Sequence, residues 1–99
     1  MRDRLYNAIG LCMKAGRAQS GALACEKAVK SGRAKLVLIE TRASAATMER
    51  YKALCDAKNV PLYAVETVGE AIGKPSRLVM AVTDEAFKTM IEGALPESE

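Results

Sequence analysis

The chain has 99 residues, 49% of them hydrophobic and 27% charged, with a net charge of +3 at neutral pH. That length suits one domain with a modest core, and the composition excludes a disordered chain. No apolar run approaches the roughly 20 residues a membrane span needs, and Met1-Arg2-Asp3-Arg4 lacks the apolar stretch of a secretory leader. A cytoplasmic protein with no membrane partner is the expectation.

Hydrophobic spacing predicts alternating helices and strands. A first helix from about Asp3 to Ala15 carries Leu5, Ile9 and Cys12 on one face, and Gly16 stops it. Arg17-Ala18-Gln19 reads equally as a short strand or a linker. Ser20 is placed to cap a second helix from about Gly21 to Ser31, ended by Gly32. Leu36-Val37-Leu38-Ile39 is a continuous apolar run, the pattern of a strand covered on both faces. Ser44 caps a third helix in which Met48, Tyr51, Leu54, Cys55 and Lys58 recur at steps of three and four.

Val60 to Val65 forms the next strand, with Pro61 tolerated near its start. A short helical turn over Val68–Ile72 leads into the loop Gly73-Lys74-Pro75-Ser76-Arg77. Leu78 to Val82 is the last strand. Asp84 opens a final helix reaching about Ala94, with Phe87, Met90 and Ile91 inward, and residues 96–99 fray. This alternation predicts an α/β chain, a three-layer α/β/α sandwich around a small sheet, mixed or parallel, as one domain over 1–95.

Catalytic patterns are thin. Histidine is absent, which removes the commonest metal ligand and the readiest proton carrier near neutral pH. Cys12, Cys25 and Cys55 each fall within an apolar helical pattern and read as buried hydrophobes in a reducing compartment, with no metal and no cofactor expected. Gly16-Arg17-Ala18-Gln19-Ser20-Gly21 has the glycine spacing of a phosphate loop. It continues as Ala22-Leu23, where that loop needs lysine and a hydroxyl residue. Glu66 with Glu70 and Asp84 with Glu85 read as solvated or helix-stabilising acids. The chain is not expected to be an enzyme.

Charge is unevenly distributed. Residues 1–35 hold eight Lys and Arg against two acids, whereas residues 36–99 hold seven against ten. A basic first third suits a polyanion, since neutralising phosphates releases counterions, and a solvated basic surface reads the same charges equally well. On the second helix, Ala24, Cys25, Ala28 and Val29 form the inward stripe, while Leu23, Lys27 and Lys30 share the outward face. Its first turn offers unpaired N–H groups beside Gly21, a natural seat for phosphate. The loop Gly73–Leu78 combines Gly73, Lys74, Pro75, Ser76 and Arg77 with an apolar end at Leu78, and is suited either to clamping a backbone or to plain connection.

The run Ser20-Gly21-Ala22-Leu23-Ala24-Cys25-Glu26-Lys27-Ala28-Val29-Lys30-Ser31-Gly32-Arg33-Ala34-Lys35-Leu36-Val37-Leu38-Ile39 resembles the ribosomal-protein family typified by the archaeal large-subunit protein L-seven-Ae. Val60-Pro61-Leu62-Tyr63, Ala71-Ile72-Gly73-Lys74 and Val79-Met80-Ala81-Val82-Thr83-Asp84-Glu85 extend the likeness over about Leu5 to Ile91, nearest to a short bacterial branch, the YlxQ type. The resemblance implies a non-catalytic protein that recognises kink-turn RNA, a sharply bent duplex with sheared G·A pairs; a monomer is the separate expectation. It implies structured RNA, ribosomal RNA included, as partner, with ribosomal proteins as neighbours and no DNA.

In the family a Gly-x-Asn-Glu segment opens the second helix and contacts guanines and phosphates. A lysine three residues after that Glu holds the backbone, and the loop before the last strand packs on a flipped-out nucleotide. Gly21 and Lys27 match this pattern, whereas Leu23 and Ala24 stand at the Asn and Glu positions. The residues carried over as RNA-binding are Arg17, Ser20, Gly21, Ala22, Leu23, Ala24, Lys27, Lys30 and the loop Gly73, Lys74, Pro75, Ser76, Arg77 and Leu78. A protein-interaction module of the same fold, with specific RNA recognition lost, is the alternative that Leu23 and Ala24 keep open.

Overall fold

The computed structural model describes residues 4–95. The expected helix start at Asp3 and the frayed tail 96–99 lie outside those residues. The elements run α1 (Arg4–Lys14), β1 (Ala18–Ser20), α2 (Ala22–Lys30), β2 (Leu36–Glu40), α3 (Ala45–Ala57), β3 (Leu62–Val65), β4 (Val79–Val82) and α4 (Glu85–Ala94). The four strands form one mixed sheet in the order β1-β4-β2-β3. β4 runs antiparallel to both β1 and β2, and β2 runs parallel to β3.

The unbroken apolar runs Leu36–Ile39 of β2 and Val79–Val82 of β4 follow from their central places. Each strand sends alternate side chains to opposite faces, so a strand covered on both faces is apolar at every position. Leu36, Leu38, Met80 and Val82 pack with Leu5, Ile9 and Cys12 of α1 and Ile91 of α4. Val37, Ile39, Val79 and Ala81 pack on the other face with Cys25, Ala28 and Val29 of α2 and Tyr51 and Cys55 of α3. The result is the expected three-layer α/β/α sandwich.

Local caps sharpen the helix starts. The Thr47 N–H donates to Ser44 Oγ at 3.1 Å, and the Phe87 N–H donates to Asp84 Oδ2 at 3.0 Å. Ser20, in contrast, does not cap α2. It belongs to β1, opposite Met80, and the capping position falls to Gly21, with no side-chain hydrogen bond. The ambiguous Arg17-Ala18-Gln19 segment is largely strand, because β4 offers it a partner edge.

Three further expectations are corrected. Met90 is 46% exposed, since Phe87 and Ile91, one turn apart, take the inward face of α4 and leave Met90 about 100° round from Ile91. Ala24 is half-buried, so the inward stripe of α2 is Cys25, Ala28 and Val29. Lys58 is the exposed C-cap of α3 and no part of its packing face. Val68–Ile72 makes one helical turn, closed by the Ile72 N–H donating to Val68 O at 3.2 Å.

Candidate nucleic-acid interface

The start of α2 is shaped by backbone geometry. β1 ends at Ser20, and the Gly21 N–H donates to Val79 O at 3.1 Å, which ties the turn to the first residue of β4. Gly21 has φ 91° and ψ 155°, a conformation open essentially to glycine alone. The first N–H groups of α2 therefore emerge beside a residue with no Cβ and no capping side chain, open to solvent or to an anion. Ala22 and Leu23 are exposed there, Leu23 to 76%. Lys27 and Lys30 continue the exposed face, as helical spacing predicts.

Arg77 brings the second predicted element to the first. Its Nη1 donates to Ser20 O at 2.9 Å and to Ser20 Oγ at 2.8 Å. The same Nη1 lies 3.0 Å from where a Cβ on Gly21 would stand, so the guanidinium rests against the bare face of the glycine. Loop Gly73–Leu78 and the start of α2 thus form one surface. Gly73, Lys74, Pro75 and Ser76 are exposed on it, and Leu78 is half-buried against the core of the α2–α3 face. β4 begins at Val79, one residue later than expected, although the Leu78 carbonyl still accepts the Glu40 N–H at 2.9 Å in register with the β2–β4 ladder.

Arg17 is the candidate that the structure does not bring to this cluster. It precedes β1, where its carbonyl accepts the Thr83 N–H at 2.9 Å, at the opposite end of the β1–β4 pair from Gly21. Four residue steps of extended chain separate the two, about 13 Å at the usual rise.

Sequence reasoning missed the residues that build the loop. Glu40 ends β2 and is 4% exposed. Its Oε2 accepts the Val68 N–H at 2.8 Å and the Gly69 N–H at 2.9 Å, and its Oε1 pairs with Arg42 Nε. Arg42 Nη2 in turn donates to Pro75 O at 2.9 Å. Burial by itself would raise the Glu40 carboxyl. The Arg42 pairing and the two backbone N–H groups outweigh it and hold the carboxyl below its ordinary value.

Gly69 completes this corner. A Cβ there would meet Lys74 O at 2.5 Å, Arg77 O at 2.6 Å and Pro75 O at 2.9 Å, so the loop folds directly over a missing side chain. The available signal was an acid at the end of the Leu36–Ile39 run with an arginine two residues on; nothing local tells which backbone it serves. Between these groups lies an open cavity of about 250 Å³ lined by Glu40, Arg42, Glu66, Thr67, Glu70 and Pro75.

The three cysteines stand apart from this surface. Burial pushes the Cys25 thiol up to about 12 and those of Cys12 and Cys55 up to about 11, so all three stay protonated and unreactive near neutral pH. Among the described residues no group of three or more acids and cysteines is placed to hold a metal. Among the same residues no helix is long and apolar enough to cross a membrane.

Residues 3–91 match the Ribosomal protein L7Ae/L30e/S12e/Gadd45 family. The chain belongs to this family. Two curated relatives agree. RNA-binding protein YlxQ of Bacillus subtilis is 38% identical over 82 residues, covering 80% of this chain and 82% of that protein. RNA-binding protein YlxQ of Enterococcus faecium is 31% identical over 99 residues, covering 93% of this chain and 95% of that protein.

Among solved structures, a protein of unknown function from Bacillus halodurans superposes with a TM-score of 0.88 at 26% identity, covering 94% of this chain and 97% of that one. The Giardia lamblia 15.5kD RNA binding protein superposes with a TM-score of 0.74 at 21% identity over 92% of this chain and 81% of that one, a likeness of fold. The family and the relatives' names are those of ribosomal and RNA-binding proteins, and the chain stands with them as a non-enzymatic member.

Proposed function

We propose that this chain is a cytoplasmic, non-catalytic RNA-binding protein of the ribosomal-protein type, acting as a monomeric domain over residues 1–95. It recognises structured RNA of the kink-turn class through the start of α2 and the loop before β4. The observation that carries this reading is the Arg77–Ser20 pairing, which joins the loop to the uncapped helix start at Gly21. The exposure of Lys27 and Lys30 on α2, and of Lys74 and Pro75 in the loop, supports the same reading. The relatives' names support an RNA partner, and the family's name supports including ribosomal RNA and ribosomal proteins in this reading.

Chemistry divides the labour on that surface. Phosphates are met by the α2 N–H groups and the lysines, which fix register and carry no base identity. Base edges are read by hydrogen bonds worth about 1–3 kcal/mol each, and Leu23 and Ala24 offer none from their side chains. Leu23 instead presents an aliphatic face to a ribose or a base. Recognition then rests on the bent shape and on the backbone more than on guanine edges, and the loop packs on the extruded nucleotide.

Titration of a kink-turn duplex and an unbent duplex of equal length tests this directly. Tighter binding to the kink-turn is expected, with the difference persisting as salt rises. Equal, weak binding to both, falling steeply with salt, would leave only electrostatic attraction. The 76% exposure of Leu23 favours one second reading, a protein-docking module. A partner retained after nuclease treatment would support that module, whereas a partner lost with the RNA counts for the RNA reading.

A further inference from the structure

We propose that Glu40 is a positioning residue for RNA recognition: buried beneath the surface and touching no nucleotide, it sets the conformation of the loop that does. The inference rests on the RNA-binding reading above and adds the group that makes the loop competent. Three connections carry it. The two Glu40 oxygens hold Val68 and Gly69 from one side and Arg42 from the other. Arg42 passes the constraint to the Pro75 carbonyl. Gly69, fixed by Glu40, provides the bare surface against which the carbonyls of Lys74, Pro75 and Arg77 pack.

The constraint has a defined end point. The Lys74 N–H donates to Gly69 O at 2.8 Å, and the Arg77 N–H donates to Lys74 O at 2.9 Å, so the loop is built upward from the Gly69 peptide. Its last member is the Arg77 guanidinium on Ser20, at the start of α2. A carboxylate suits this role because it accepts from several donors at once while being confined to one geometry by burial. The amide of glutamine cannot replace it. One oxygen could still accept from Val68 and Gly69, but the NH₂ group would face another donor at Arg42 Nε.

Glu40→Gln and Arg42→Ala, compared with the unaltered protein, test the role. Glu40→Gln is nearly isosteric, and Arg42 is a largely exposed side chain, so both variants are expected to fold. Amide exchange in the free protein should quicken at Val68, Gly69, Lys74 and Arg77 while the core of α2 stays protected. Affinity for the kink-turn duplex should fall about tenfold in Glu40→Gln, the equivalent of one charge-assisted hydrogen bond. The salt dependence should keep its slope, because no phosphate contact is removed.

A purely structural role predicts faster exchange throughout and unchanged affinity of the folded protein, which would overturn the proposal. So would two variants that bind the kink-turn as the unaltered protein does. Failure of the unaltered protein itself to prefer the kink-turn would overturn the kink-turn reading and this role with it.

Discussion

Single residues decide how the surface is charged and how it is shaped. Lys27 is exposed on α2, on the face shared with Leu23 and Lys30, and in the proposed reading its ammonium would meet a phosphate without reading a base. Lys27→Ala is therefore expected to weaken binding to every RNA alike and to lower the slope of log K against log salt by about 0.9, one phosphate contact. Titrations at several salt concentrations check this, and an unchanged slope would remove Lys27 from the interface. Gly21 is limited by its backbone. At φ 91° and ψ 155° an alanine is strained, and its Cβ would press on Arg77 Nη1. Gly21→Ala should cost about 1–3 kcal/mol in urea unfolding. The Gly21–Lys27 matches were legible in the sequence because each is a residue type at fixed spacing. The Arg77–Ser20 contact was not, since it spans two segments far apart in the chain.

At the scale of elements, the sequence disclosed what periodicity governs and concealed what tertiary pairing governs. β2 and β4 are readable as continuous apolar runs because each is covered on both faces. β1 is only Ala18–Ser20, too short to show a pattern, and it exists because the edge of β4 is available to it. The Gly73–Leu78 loop was found as a stretch of turn residues, but its shape is imposed by Glu40 from the end of β2. That buried carboxylate has a consequence for acid stability. Its folded value lies below the unfolded one, so its contribution is complete above the ordinary carboxylate range and is lost as pH falls through the folded value. Urea unfolding of the unaltered protein and Glu40→Gln should differ most at neutral pH, with the gap narrowing in acid. A gap independent of pH would show that the carboxylate charge is not what holds the corner together.

For the molecule as a whole, the sheet acts as a frame that brings separated segments to one end. β4 lies beside both β1 and β2, so the chain leaving β1 toward α2, the loop entering β4 and the end of β2 meet at a single corner. The Gly21 turn, Arg77 and Glu40 all stand there, whereas Arg17 occupies the far end of β1. Family membership accounts for the layered architecture, and Leu23 and Ala24 offer no side-chain hydrogen bonds to base edges. The central claim is that the α2 start and the β4 loop form one RNA-binding surface. Backbone amide chemical shifts recorded while a kink-turn duplex is added test it most directly. The account predicts the largest changes at Gly21–Ala24, Lys27 and Gly73–Leu78, moving together at one RNA concentration. Changes centred on the outer faces of α3 or α4, with those residues still, would contradict it.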